Sequence, residues 1–146
     1  MDEEVRIKQY ESKDYEKVMT FLQSIDGLQE IEEELFPKAI LIEAKDEILG
    51  MITYEMFRKK TLIRYFIFEK DLAHELILQM YEMFFANLRK QNIKEVYAIV
   101  TNPNLSEIFT HLGFKEYPKE NFFLTEECIL NTKYRNAMVM MFEIPY

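Results

Sequence analysis

Apolar positions along this chain recur with two periods, every second residue and every third or fourth, and the switches between them predict an order of elements. Val5–Tyr10 reads as a strand. A helix follows near Lys13–Ser24, where Ser12 is placed to cap the start and Tyr15, Val18, Leu22 and Ile25 share one face. A second helical stretch covers Gln29–Leu35 and is ended by Pro37. Two hairpins come next: Ala39–Ala44 joins Ile48–Phe57 through Lys45-Asp46-Glu47, and that strand joins Leu62–Phe68 through Arg58-Lys59-Lys60. Leu62–Phe68 is nearly all apolar, so both its faces are expected to be covered.

The longest helix runs from about Leu72 to Gln91, with Ala73, Leu76, Ile77, Met80, Phe84 and Leu88 repeating at three and four residues. Strand Glu95–Val100, a short helix from Asn104 to Leu112 and a last strand Ala137–Ile144 complete the order. Between the last two, Phe122-Phe123-Leu124 reads as a further strand and Asn131-Thr132-Lys133 as a turn. The pattern predicts an α+β sandwich forming one domain over 1–146, with no internal repeat. Because Ala137–Ile144 is apolar on both faces, it needs cover from the long helix or from the second subunit of a homodimer.

Composition narrows the function. A net charge of −8 argues against nucleic acid as a partner, since neutralising phosphates needs clustered Lys and Arg. There is no twenty-residue apolar run, and the opening Met1-Asp2-Glu3-Glu4 is no signal peptide, so neither a membrane nor export is expected. The lone Cys128 cannot form an internal bridge, which fits the cytoplasm. With two His and one Cys at no ligand spacing, no metal site is expected.

The chemistry is concentrated in Asn102-Pro103-Asn104-Leu105-Ser106-Glu107-Ile108-Phe109-Thr110-His111-Leu112-Gly113-Phe114, directly after the Glu95–Val100 strand. The stretch has a structural reading: Asn102 caps, Pro103 takes the first helical position, Phe109 faces inward and Gly113 terminates. It also resembles the second acyl-CoA-binding motif of the GNAT N-acetyltransferases, with Asn102, Leu105, Phe109, Gly113 and Phe114 at the family's spacing. Phe109 stands where many members place the Tyr that protonates the leaving CoA thiolate, and a phenyl ring has no proton to give.

The resemblance implies a mixed, mostly antiparallel sheet of about six or seven strands flanked by about four helices. It implies acetyl-CoA as co-substrate and a small-molecule or peptide amine as acceptor. The family's pyrophosphate loop, a Gln/Arg-x-x-Gly-x-Gly/Ala turn at the start of the long helix, falls on Phe68-Glu69-Lys70-Asp71-Leu72-Ala73, of which only Ala73 fits. Phe66, Ile67, Phe68, Lys70, Leu72, Ala73, His74, Asn102 and Phe109 are the implied cofactor-binding positions.

Unpaired N–H groups at a helix start favour anions. At about 5 Å and an effective dielectric of 20 to 80, however, each carboxylate of Glu69 and Asp71 would repel a phosphate charge by roughly 1–3 kcal/mol. Carboxylates there also read simply as capping residues. The resemblance also implies that a base for the amine would come from the central strands, which nominates Glu55 and Glu69, with Tyr65 and Tyr97 as hydrogen-bonding partners. The acidic run Glu30, Glu32, Glu33, Glu34 lies where the fold covers its acceptor, and it reads either as an attractant for a cationic amine or as a solvated helix face. Three functions follow: an N-acyltransferase using CoA, an acyltransferase with another donor, or a catalytically silent GNAT-fold protein that binds a ligand or partner.

Overall fold

The computed structural model describes residues 4–25, 28, 30–57, 60–101, 103–124, 127–128, 130 and 135–144. Strands β1 (Val5–Gln9), β2 (Ile40–Ala44), β3 (Glu47–Phe57), β4 (Lys60–Phe68), β5 (Glu95–Val100), β6 (Lys115–Tyr117) and β9 (Met138–Glu143) form one sheet in the order β1-β2-β3-β4-β5-β9-β6. Strands β7 (Phe123–Leu124) and β8 (Glu127–Cys128) pair separately. The α-helices are α1 (Tyr15–Gln23), α2 (His74–Lys90) and α3 (Pro103–His111). The chain divides into two compact units, residues 1–54 with 64–87 and residues 55–63 with 88–146.

In the first unit β1, β2 and β3 form an antiparallel meander, with Val5 opposite Ala44 and Ile40 opposite Ile52. The β2–β3 turn is made by Lys45 and Asp46 at φ 50° and 65°, the left-handed geometry that matches the twist of a two-residue hairpin. α1 buries Val18, Phe21 and Leu22 against Phe36, Ala39, Leu41, Ile48 and Met51. Ser12 does not cap α1 but lies inside the preceding 3-10 turn Ser12–Asp14, which the reciprocal pair Glu11 and Asp14 caps, and α1 follows directly with Asp14 as its N-cap residue. Asp14 is fully buried and Lys8 reaches its carboxylate at 2.9 Å, so the cap doubles as a link to β1.

The second predicted helix is displaced. Glu33–Lys38 forms a 3-10 helix that contains Pro37, and Gln29 lies outside the described residues. A short 3-10 helix of two turns tolerates proline because it asks for few N–H donors. Gly50 has a steric role, since a Cβ there would sit 3.2 Å from both the Ile42 and the Phe68 side chains.

In the second unit β9 lies between β5 and β6, antiparallel to both, with Val100 opposite Met138 and Lys115 opposite Met141. That explains its two-sided apolar pattern. Val139 packs with Leu62, Tyr97 and Phe122, while Phe142 stacks on Phe114 at 5.4 Å, so both edges and much of the side-chain surface are covered from within the chain. Phe123–Leu124 pairs with Glu127–Cys128 and does not join the main sheet; that position belongs to Lys115–Tyr117. The turn read at Asn131–Lys133 lies outside the described residues. Gly113 ends α3 at φ 101°, and a Cβ would meet the Phe142 ring at 2.9 Å. Among the described residues no helix is long and apolar enough to cross a membrane.

Candidate functional site

The most informative local feature of the first unit is a break in β4. Tyr65 has φ 51° in mid-strand, a conformation that costs a bulky residue about 1–3 kcal/mol and persists only where its surroundings enforce it. The enforcing contacts are visible. The Glu32 N–H donates to the Tyr65 hydroxyl at 2.8 Å, and that hydroxyl donates to the Glu30 carbonyl at 3.3 Å. The adjacent Arg64 guanidinium pairs with the Glu32 carboxylate. Burial, first, and the nearby Glu34 and Glu30 carboxylates raise the Tyr65 hydroxyl above its ordinary pKa, with Arg64 opposing, so it is a neutral donor near pH 7.

Beyond this break β4 divides its side chains between two neighbours. Ile67 packs with the α1 cluster, while Phe66 meets Tyr81 of α2 at 6.5 Å between ring centroids and Phe68 at 5.5 Å. Tyr81 packs on Phe85 at 4.4 Å, and among the described residues its buried hydroxyl has no hydrogen-bond partner. Burial pushes its pKa well up, so the ring serves as apolar filling. Nothing in the sequence distinguishes Tyr81 from the other core rings of this helix.

The α2 helix begins at His74, two residues later than the periodicity predicts, and Ala73 is exposed instead of facing the core. Its first bonds run from the Leu76 and Ile77 N–H groups to the Ala73 carbonyl. The preceding loop is short and partly self-satisfied: Glu69 N–H donates to the Leu49 carbonyl at 2.8 Å and Leu72 N–H to the Glu69 carbonyl at 3.1 Å. Lys70, Asp71 and His74 are exposed and Leu72 is half-buried. Glu75 adds a further carboxylate in the first helical turn. An anion arriving here meets fewer donors and more negative charge than a glycine-rich loop would offer.

Of the proposed bases, Glu69 is exposed and lines a cavity of about 370 Å³ with Lys17, Phe21, Ser24, Asp46 and Ile48, on the α1 side of the first unit. Glu55 belongs to the second unit and is half-buried. The acidic run is partly engaged. Glu32 is held by Arg64 and Glu33 accepts from the Tyr15 hydroxyl, whereas the Glu30 and Glu34 side chains are exposed.

In the second unit Phe109 is a core ring, 3% exposed and 4.9 Å from Phe114. Asn102 lies outside the described residues. Tyr97 is buried and donates to Glu95 at 2.6 Å, with burial first and Glu95 second raising its pKa; it packs against Phe122 and Tyr117. The β4–β5 ladder is parallel and carries two residue pairs, Thr61 with Val96 and Leu62 with Tyr97.

This strand order, with its parallel β4–β5 step and long helix between them, is the fold of the GNAT N-acetyltransferases. The chain superposes on N-acetylglutamate synthase from Neisseria gonorrhoeae, solved with coenzyme A and N-acetyl-glutamate, at TM-score 0.76 and 13% identity. That match covers 100% of this chain and 36% of the synthase, so the chain spans about a third of that enzyme. A GNAT-family acetyltransferase from Staphylococcus aureus matches at TM-score 0.71 and 13% identity over 97% of this chain and 100% of its own. A ribosomal-protein-alanine N-acetyltransferase from Escherichia coli matches at 0.68 and 12%, over 98% and 96%. No family model and no curated protein sequence matches the chain.

Proposed function

We propose that this protein is an N-acyltransferase that moves an acetyl or acyl group from a CoA thioester to the amine of a small molecule or peptide. The observation that carries this reading is the left-handed backbone at Tyr65 inside β4. A break of this kind takes a strand out of regular pairing and leaves backbone N–H groups to serve a ligand. In an acyl transfer those groups would polarise the thioester carbonyl and hold the oxyanion as the amine attacks. As the C–N bond forms and the C–S bond breaks, the amine gives up its proton through water, with Glu55 or Glu69 as the proposed base. The departing thiolate takes a proton from water to leave as the thiol. The structural neighbours support the donor: the Neisseria synthase was solved with coenzyme A.

A second reading, a catalytically silent protein of the same fold, is favoured by a separate observation. Phe109 is a packed core ring, and the loop before α2 has spent two N–H groups on its own chain while presenting Glu69 and Asp71. Thermal unfolding with acetyl-CoA, free CoA and a non-hydrolysable thioether analogue separates the two. At a hundred times its Kd the donor contributes about 2.7 kcal/mol, a rise in Tm on the order of 5–10 °C for a domain of this size. That rise is the expected result, and no change at millimolar donor would leave the silent reading standing.

A further inference from the structure

Successive residues of a strand point to opposite faces of the sheet. Arg64 and Tyr65 are successive, yet both reach Glu32: the guanidinium takes its carboxylate and the phenol accepts its N–H at 2.8 Å. The left-handed φ of 51° at Tyr65 lies between the two directions and breaks the alternation. One backbone distortion therefore turns two neighbouring side chains onto one segment.

We propose that Arg64 and Tyr65 are positioning residues that latch the acidic segment Glu30–Glu34 to β4, and that the latch and the left-handed backbone hold each other in place. The strain at Tyr65 is kept because relaxing to an extended strand would release Glu32, and Glu32 is kept because the strand is broken. Coupling of this form is reciprocal. Set within the acyltransferase reading, on which this part rests, the segment on the acceptor side and the backbone that meets the thioester respond as one. Donor binding then orders the acceptor segment.

The test is NMR on the wild type, Tyr65→Phe and Glu32→Gln, each with and without acetyl-CoA. Tyr65→Phe is expected to speed hydrogen exchange at the Glu32 amide by about tenfold, the equivalent of one ordinary hydrogen bond. Glu32→Gln is expected to move the backbone carbon shifts of residue 65, which report φ, toward extended-strand values. Acetyl-CoA should slow Glu32 exchange in the wild type and fail to do so in Tyr65→Phe. Residue 65 remaining left-handed in both variants, or unchanged Glu32 exchange in Tyr65→Phe, overturns the proposal. If acetyl-CoA moves nothing in the wild type, the donor reading falls, and the two ligand-free comparisons still decide the latch.

Discussion

Phe109 shows how much a single residue's setting decides. At the position where the resemblance places an acid, the ring is 3% exposed and packed on Phe114. Restoring the hydroxyl would bury it without an assigned partner, at a cost of about 1–3 kcal/mol. Phe109→Tyr is therefore expected to lower Tm while leaving any turnover unchanged, as calorimetry and a thiol-release assay would show. A rise in turnover would mean that a thiolate does form beside this ring. The spacing of this motif is readable because Gly113 and Phe114 have a packing task at the Phe142 ring that only certain residue types fill. Tyr65 stands out in the sequence only as a hydrogen-bonding partner near the site, and its strain is not readable there. A left-handed turn normally announces itself by glycine or asparagine, and here a tyrosine occupies it under the hold of Glu30 and Glu32.

At the scale of elements, order is legible and partnership is not. Period-two and period-3.6 patterns mark the longer strands and helices from local sequence alone, which is why β1, β3, β5 and α2 fall within a few residues of their predicted limits. That β9 returns between β5 and β6 is a long-range pairing with no local mark, and β6 is only three residues long. The loop before α2 illustrates the same limit. Its two acidic residues look alike in sequence, yet Glu69 lines the α1-side cavity while Asp71 is exposed just ahead of the helix. Asp71→Asn is thus expected to tighten acetyl-CoA binding, by about threefold for one screened charge pair, and Glu69→Gln to change it less. Equal effects in a titration calorimeter would remove this distinction.

The ion network that joins β1, β2 and α1 gives an element-level pH prediction. Glu43 is buried and accepts from Lys17 at 2.9 Å and from Arg6 at 2.8 Å. The Lys17 hydrogen bond, chiefly, with Arg6 beside it, holds the Glu43 carboxyl below its ordinary value although burial pushes it up. A depressed folded-state pKa means stability that is fully present above the ordinary carboxylate pKa, near 4, and lost as the pH falls through the folded value. Wild-type Tm should accordingly drop between about pH 5 and 3 more steeply than that of Glu43→Gln. Parallel curves would show that the network is not coupled to folding.

Over the whole molecule, charge governs how any donor arrives. The chain carries −8, and α2 opens behind Glu69 and Asp71 with Glu75 in its first turn. CoA is itself a multiply charged anion, so the long-range field repels the proposed donor. Proteins that grip an anion with clustered cations lose affinity as salt is added. Here repulsion prevails and salt screens it, since the Debye length shrinks from about 30 Å at 0.01 M to about 8 Å at 0.15 M. Acetyl-CoA affinity is therefore expected to hold or to improve by a fewfold over that range, with the gain in the association rate. The outcome is read from stopped-flow binding at several ionic strengths. A steep loss of affinity with salt would mean instead that the phosphates are met by a cluster of lysines and arginines, and the donor would then have to be sought away from the α2 N-terminus.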